Sequence, residues 1–293
     1  MSIEIRNDKS FDRIIIISTR RKKRLKHLNK CIFCPGMEKV LEKPTQEVLE
    51  NGKWVLRAVP NKFPIFRHHE IIIETPKHVV NVDEESMDHV EELFRFYSDR
   101  YKDISRRKGV KYVQLFTNRG EKAGASQVHA HSQIIGLPFI PKMIADELNS
   151  IEKHKKKSSE CLFCKTMRSE RRGKRFVYEN KSFVAFCRFA PRHAYEISIF
   201  PKCHVNDLSD VDFRDAADAY KKCVHALHLA LDNTDMNIIF HQMKQLSYHA
   251  HINLLPLTET VGGLERGAGV YVNHNSPEAA ARHLRRFIKK VKD

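Results

Sequence analysis

Hydrophobic and polar residues along the chain form short alternating segments, separated by longer stretches with helical spacing. Segments rich in β-branched and aromatic residues predict strands at residues 13–18, 70–74, 112–117 and 196–200. Apolar residues at a 3.6-residue spacing predict amphipathic helices at 86–106, 212–232 and 277–292. Strand clusters with a few long helices, without strict alternation of strand and helix, predict an α+β fold with antiparallel sheets.

Three landmarks of the sequence recur in the same order. Cys31-Ile-Phe-Cys34 returns as Cys161-Leu-Phe-Cys164, Pro-Lys-His78 returns as Pro-Lys-Cys-His204, and His129-Ala-His131 returns as His249-Ala-His251. Agreement at three positions in one order indicates an ancient duplication. We therefore expect two similar halves, 1–150 and 151–293, each an antiparallel sheet with packed helices. The first half would carry the catalytic strand and the first metal site, and the second half would carry the second metal site.

Each half offers two thiols and two imidazoles. The candidate ligands are Cys31, Cys34, His78 and His129 in the first half, and Cys161, Cys164, His204 and His249 in the second. Two cysteines and two histidines form a closed tetrahedral zinc set, so we expect two zinc ions per chain. The alternative is buried free thiols with ordinary core histidines, and repetition of the whole set favours zinc. We expect no redox role, because neither cysteine pair is predicted at a helix start after a parallel strand.

The segment from Gly124 to Gln133 carries the candidate chemistry. Alternate residues of a strand share a face, so His129, His131 and Gln133 would line one surface, just after the small residues Gly124 and Ser126. If His129 binds metal, His131 stays free beside a turn suited to hold a phosphate. Neutral imidazole attacks phosphorus at neutral pH, so we expect His131 to be a nucleophile.

The second His-Ala-His copy lacks these accompanying residues. No Gly-Ala-Ser precedes it and no glutamine follows it. We therefore expect His251 to have a structural role or to lie at the edge of a pocket.

Composition narrows the class of protein. The chain has 293 residues, 41% of them hydrophobic, and a formal net charge of +16. The charge fits an anionic substrate or nucleic acid, but also a lysine-rich surface without a specific partner. No apolar run is long enough to span a membrane, and the N-terminus lacks the pattern of a signal peptide. We expect a cytoplasmic protein without a disulfide framework, since the seven cysteines are odd in number.

The run Gly124-Ala-Ser-Gln-Val-His129-Ala-His131-Ser-Gln133 resembles the galactose-1-phosphate uridylyltransferase family of the histidine-triad superfamily. That family carries Gly-x-Ser, two residues, then His-Pro-His-x-Gln. The chain departs from the motif at Ala130, where the family usually has proline, so neighbouring residues must fix the local geometry. The resemblance covers nearly the whole chain. Its closing segment, 263–273, is similar to that of the short prokaryotic members.

The resemblance implies roles for further residues. Arg21 and Arg24 would neutralise substrate phosphates. Asn61 would belong to a nucleotide-contacting loop, in which Lys62 stands where relatives often have aspartate. Asn118 would belong to the family's Asn-x-Gly sequence ahead of the catalytic strand.

The resemblance also implies which residues of the catalytic strand and the turn before it bind the phosphate. Gly124 and Ser126 would allow close approach and supply a hydroxyl. Gln133 would hydrogen-bond the transferred phosphoryl group. Since its amide supplies no proton, it would favour transfer over hydrolysis.

The implied activity is movement of UMP between UDP-glucose and galactose 1-phosphate through a nucleotidyl group on His131, with ping-pong kinetics. The nearest alternative uses the same histidine in a phosphorylase or adenylyltransferase acting on ADP-glucose or a dinucleoside polyphosphate. A nucleic-acid-binding or DNA-end-processing protein of the histidine-triad superfamily is less favoured. A zinc-stabilised protein without catalysis is less favoured still. The family also implies a homodimer.

Overall fold

The computed structural model describes residues 4–8, 10, 13–18, 30–79, 81–232 and 234–289. The strands are β1 (Glu4–Asp8), β2 (Arg13–Ile17), β3 (Gln46–Glu50), β4 (Lys53–Pro60), β5 (His68–Ile73), β6 (Tyr112–Arg119), β7 (His131–Leu137), β8 (Phe176–Glu179), β9 (Phe183–Cys187), β10 (Ile197–Pro201), β11 (Met236–His241) and β12 (His251–Pro256). The α-helices are α1 (Met87–Arg106), α2 (Lys142–Lys155), α3 (Leu162–Arg171), α4 (Phe213–Ala230), α5 (Gly263–Ala268) and α6 (Pro277–Ile288).

Ten of these strands form one antiparallel sheet, and β1 and β2 form a separate hairpin. The order in the large sheet is β3-β4-β5-β7-β6-β11-β12-β10-β9-β8. Read outward from the central β6–β11 pair, one side of the sheet is β6-β7-β5-β4-β3 and the other is β11-β12-β10-β9-β8. Each strand on one side therefore has a counterpart at the same position on the other side. This arrangement gives β7, which carries His131, and its counterpart β12, which carries His251, equivalent places in the sheet.

Both faces of the sheet are covered at β9, which explains why the sequence of this strand is a continuous apolar run. Phe183, Ala185 and Cys187 belong to the main core, which includes buried residues of α1, α4 and α6. Val184 and Phe186 face the other way, into a second core with residues of α2 and α3. A strand that is buried on both faces has no polar alternation.

The mixed α+β class predicted from the sequence is confirmed. The predicted strands and long helices appear with ends shifted by a few residues, and the last helix is described as far as Ile288. The domain boundary at residue 150 stays a prediction; it lies within α2.

Two details differ from expectation. The strand that carries His131 begins at that residue, so His129 lies in the segment before it. The second cysteine pair does lie at a helix start, because Cys161 is the N-cap of α3. That helix follows a loop after α2 rather than a parallel strand. In the part of the chain that the structure describes, no helix combines the length and apolar character needed to cross a bilayer.

Candidate active site

The four predicted ligands of the first half lie together. Their ligand atoms all fall within 4.8 Å of one another. The Sγ atom of Cys34 lies 3.4 Å from Nδ1 of His78, and the Sγ atoms of Cys31 and Cys34 each lie 3.6 Å from Nδ1 of His129. These atoms surround one point, as ligands of a single ion do.

The second half repeats this cluster. The Sγ atom of Cys164 lies 3.6 Å from Nδ1 of His204 and 3.4 Å from Nδ1 of His249. The Sγ atom of Cys161 lies 4.0 Å from the same nitrogen of His249. The cysteines of both clusters are partly buried.

Hydrogen bonds outside the clusters fix the orientation of two of the histidines. Nε2 of His129 lies 2.8 Å from the carbonyl oxygen of Thr75, and Nε2 of His249 lies 3.0 Å from that of Pro201. A carbonyl only accepts, so each Nε2–H donates and each Nδ1 is left with a lone pair that faces the thiols. Metal-binding histidines in proteins are usually held in this way.

Two of the thiols, those of Cys34 and Cys164, have raised pKa values and are protonated at neutral pH. Burial, together with the neighbouring Cys31, raises the pKa of Cys34 to about 11. Burial and the neighbouring Cys161 raise the pKa of Cys164 to about 12. A divalent cation bound by the cluster stabilises the thiolate form and releases the protons.

His131 is held with its reactive nitrogen available. Its Nδ1–H donates to the carbonyl oxygen of His129 at 2.8 Å, which leaves the lone pair on Nε2. The ring of Phe33 packs at 5.1 Å between centroids, and His131 is only 5% exposed. Burial lowers the pKa of His131, so the neutral, nucleophilic form is favoured at neutral pH.

His131 lines a cavity of about 80 Å³ between the first cysteine pair and the end of β4. The lining of this cavity combines apolar and polar side chains. Predicted site residues Asn61, Ser126 and Gln133 all line it, together with Lys62. The apolar lining residues are Ile32, Phe33, Val40, Leu41, Val59, Pro60, Phe63 and Ile71.

The turn ahead of His131 depends on glycine and on a residue from the other half of the chain. Gly124 has a φ of 85°, a left-handed conformation that favours glycine. Nδ2 of Asn237, on β11, donates to Oδ1 of Asn118 at 3.0 Å and to the carbonyl oxygen of Ala123 at 3.0 Å. Asn237 was missed by the sequence reasoning, because no local pattern links β11 to this turn.

A buried polar network supports β7 from the helix side of the sheet. Tyr97 of α1 donates its hydroxyl to Oε1 of Glu74 at 2.7 Å, and Ser132 donates to the same oxygen. The hydroxyls of Thr117 and Ser132 lie 2.6 Å apart. Burial raises the pKa of Glu74. The network fixes the residue that follows His131, and it too was missed, because its members are far apart in sequence.

A second buried histidine lies beside Gln133. Nε2 of His69 lies 3.1 Å from Oε1 of Gln133 and 3.1 Å from Nδ2 of Asn61. His69 is 2% exposed and lies at the start of β5, directly after His68. The adjacent histidines were a signal in the sequence that could have indicated it.

His251 has a different environment from His131. Its Nδ1 lies 3.1 Å from the carbonyl oxygen of His249, but its ring stacks on His241 at 4.6 Å and on Phe200 at 4.7 Å. It is fully buried and is absent from the lining of the cavity beside His131. The predicted phosphate-binding residues Arg21 and Arg24 lie outside the described residues.

Comparison with known proteins shows what the chain is similar to. A family model described as the N-terminal domain of a domain of unknown function, DUF4931, matches residues 15–140. The ADP-glucose phosphorylase of Arabidopsis thaliana is 27% identical over 97% of this chain and 93% of its own length. The galactose-1-phosphate uridylyltransferase of Thermotoga maritima is 28% identical over 97% of this chain and 98% of its own.

Solved structures agree over the same span. The crystal structure of the Arabidopsis thaliana ADP-glucose phosphorylase with bound ADP-glucose superimposes with a TM-score of 0.82 at 27% identity, covering 97% of this chain and 99% of that chain. A uridylyltransferase structure gives a TM-score of 0.86 at 22% identity over 99% of both chains, which shows a shared fold. The chain therefore shares its mixed α+β fold with these proteins. The resemblance inferred from its motifs is confirmed, since curated relatives named galactose-1-phosphate uridylyltransferase and ADP-glucose phosphorylase match nearly the whole chain.

Proposed function

We propose that this chain is a nucleotidyltransferase that acts on nucleoside diphosphate sugars through a covalent nucleotide on His131. The observation that carries the proposal is the state of this side chain: it is buried and neutral, its Nδ1–H is bonded to the His129 carbonyl, and its Nε2 lone pair is available. Ser126 and Gln133 line the same cavity as His131, and Gly124 lies in the turn that precedes them in the sequence.

In the first step, Nε2 of His131 forms a bond to the α-phosphorus, and the bond from that phosphorus to the bridging oxygen breaks. The sugar 1-phosphate leaves with the electron pair. The imidazole becomes positively charged, and the carbonyl oxygen of His129 stabilises this charge by accepting from Nδ1–H. The amide nitrogen of Gln133 donates to a non-bridging oxygen without supplying a proton. In the second step, a phosphate oxygen of the acceptor attacks the same phosphorus and His131 leaves.

For the two cysteine–histidine clusters, we propose zinc. Zn–S bonds near 2.3 Å and Zn–N bonds of about 2.0–2.1 Å put a sulfur and a nitrogen about 3.5 Å apart at a tetrahedral angle. The corresponding distances are 3.4–3.6 Å in the first cluster and 3.4–4.0 Å in the second. The ion has a structural role in this proposal: it fixes His129, and thereby the carbonyl that orients His131.

Two donor–acceptor pairs fit this chemistry. Uridylyl transfer between UDP-glucose and galactose 1-phosphate is the first candidate, supported by the Thermotoga maritima relative. Adenylyl transfer from ADP-glucose to inorganic phosphate is the second, supported by the full-length similarity to the Arabidopsis thaliana phosphorylase. In either case Arg21 and Arg24 would contact phosphates, and Asn61 and Asn118 would position the nucleotide and the turn.

The test incubates the purified chain separately with UDP-glucose and with ADP-glucose, each radiolabelled at the α-phosphate. We expect one donor to label the protein and release glucose 1-phosphate. Galactose 1-phosphate or inorganic phosphate, added afterwards, should then remove the label, and the effective acceptor decides between transferase and phosphorylase. Failure of both donors to label the protein would contradict the proposal.

We also propose a homodimer. Near the C-terminus, α5 and the segment after it expose large apolar side chains, and an exposed group of this kind marks an interaction surface. Leu264, Val270 and Val272 are at least half exposed, at 53%, 56% and 50%. Sedimentation of the full chain should give the mass of a dimer. Replacing Val270 and Val272 by serine should shift it to the mass of a monomer, whereas a wild-type monomer would refute this part of the proposal.

A further inference from the structure

The amide of Gln133 can serve the reaction in only one of its two orientations. Its nitrogen must face the phosphoryl group, because an amide oxygen facing a phosphate oxygen would repel it. The two orientations differ by half a turn of the amide about the preceding bond, and both have the same shape. A side chain at the edge of a solvent-filled cavity therefore needs a partner that distinguishes its oxygen from its nitrogen.

His69 can distinguish the amide oxygen from the nitrogen, because a backbone hydrogen bond determines which of its ring nitrogens carries the proton. The N–H of Ile65 donates to Nδ1 of His69 at 3.1 Å. A backbone N–H is always a donor, so Nδ1 carries no proton, and in the neutral ring the proton lies on Nε2. The imidazole thus presents an N–H group toward Gln133 and Asn61.

Only one of these two neighbours can accept this proton. Oδ1 of Asn61 accepts from the N–H of Phe63 at 2.9 Å, and this bond leaves the amide nitrogen of Asn61 facing His69. An amide nitrogen has no lone pair to accept with. Oε1 of Gln133, at 3.1 Å, is an acceptor, and so the Nε2–H of His69 is directed to it.

We infer that His69 is a positioning residue of this site, holding Oε1 of Gln133 so that the amide nitrogen faces the phosphoryl group transferred by His131. The inference rests on the proposed nucleotidyl transfer for its catalytic consequence, but the hydrogen-bond arrangement stands on geometry alone. Sheet register supports it: Gln133 is paired with Ile71 in the β5–β7 ladder, so His69 is its diagonal neighbour on the adjoining strand.

The same histidine joins the catalytic strand to the loop that lines the cavity. The backbone N–H of Asn61 donates to the carbonyl oxygen of His69 at 2.9 Å. Ile65, which fixes the tautomer, lies in the same loop. Burial makes this arrangement rigid, since His69 is 2% exposed. A nucleotide that binds in the loop would therefore find the amide nitrogen of Gln133 already facing its phosphoryl group.

The test compares His69→Phe with His69→Gln, because phenylalanine removes the donor whereas the glutamine amide can supply an N–H near the position of Nε2. We expect His69→Phe to slow single-turnover labelling of His131 by about 10- to 100-fold, less than the about 100- to 1,000-fold lost when a donor to the reacting group is itself removed. His69→Gln should recover at least half of this loss on a logarithmic scale. His68→Phe, on the opposite face of β5, is the control and should stay within about twofold of the wild type.

A double-mutant cycle distinguishes positioning from general damage to the fold. If His69 acts through Gln133, His69→Phe should change the rate by less than about threefold in a Gln133→Ala background. The same fold loss in both backgrounds would overturn the inference.

A measurement on the wild-type protein tests the tautomer of His69 directly, even if a variant fails to fold. Because it needs no turnover, it also separates this inference from the proposed function. Nitrogen-15 NMR of the wild-type protein should show His69 as the neutral tautomer protonated at Nε2. A proton on Nδ1 would overturn the inference, even if His131 is labelled as proposed. If NMR gives the expected tautomer but no nucleotide labels the wild type, the proposed function fails and the hydrogen-bond assignment stands.

Discussion

Replacing Ala130 by proline tests how this chain orients His131, its proposed nucleophile. The substitution restores the His-Pro-His sequence usual in the family, yet we expect it to harm this protein. The N–H of Ala130 donates to the carbonyl oxygen of Val79 at 2.8 Å, and the N–H of Glu74 donates to the carbonyl oxygen of Ala130 at 3.2 Å. Val79 follows the metal-cluster residue His78, so the first bond ties the cluster to the catalytic strand. Proline cannot make it.

The magnitude follows from the lost bond. Ala130 is 6% exposed, so the Val79 carbonyl loses its partner where little water can replace it. Such a loss costs about 1–3 kcal/mol, and proline returns about 0.4–1 kcal/mol by restricting the unfolded chain. At the middle of these two ranges the net loss is about 1.3 kcal/mol, which corresponds to a fall in melting temperature of about 3–5 °C for a chain of this size. A displacement of His131 approaching 1 Å would slow its labelling by about 10- to 100-fold.

The chain contains its own control for this experiment. In the second half, the N–H of Ala250 donates to the carbonyl oxygen of Val205, also at 2.8 Å. Ala250→Pro should therefore lower the melting temperature by a similar amount, while the labelling rate of His131 stays within about twofold of the wild type. Calorimetry and rapid-quench labelling of both variants measure the two effects. An Ala130→Pro protein as stable and as fast as the wild type would refute the reasoning.

Three further predictions concern the nucleophile, the metal and a buried histidine. His131→Gly should abolish labelling while changing the metal content little, whereas His251→Gly should retain labelling; equal loss of labelling in both variants would contradict the division of roles between the halves. Cys34→Ser should lower the zinc content by about one ion per chain in elemental analysis, and an unchanged content would argue against this cluster as a zinc site. Burial, aided by Arg188 and Arg192, lowers the pKa of His241 to about 3. When the pH is lowered below the ordinary histidine pKa of about 6.5, the unfolded chain takes up a proton at this position and the folded chain does not. The free energy of unfolding should therefore fall by up to about 1.4 kcal/mol for each unit by which the pH is lowered. In urea titrations from pH 7 to pH 5, His241→Gln should flatten this slope.

The sequence predicted those parts of the site whose residues occur in both halves of the chain. The Cys-x-x-Cys pairs and the His-Ala-His segments occur twice, and this repetition predicted which side chains would come together. In the structure, Cys34 and His129 lie together with their partners, as do Cys164 and His249. The fold class was also predictable, because strands and helices have different hydrophobic periods.

The remaining parts of the site depend on contacts between distant positions. His69 reaches Gln133 across the β5–β7 pair, and Asn237 reaches the turn beside Asn118 from the other half of the chain. Such contacts follow from strand register and from the pairing of β6 with β11, which no local pattern specifies. The start of β7 at His131 could not be predicted from alternation either, because the backbone of Ala130 is hydrogen-bonded to Val79 and Glu74, which are distant in the sequence.

The central claim is that the nucleotide is carried on Nε2 of His131. The most direct test is peptide mapping by mass spectrometry after brief incubation with UDP-glucose or ADP-glucose, under alkaline conditions that preserve phosphorus–nitrogen bonds. The account predicts one nucleoside monophosphate per chain on the peptide that contains His131, and none in the His131→Gly variant. An adduct on the peptide that contains His251, or turnover of the sugar nucleotide without any adduct, would contradict it.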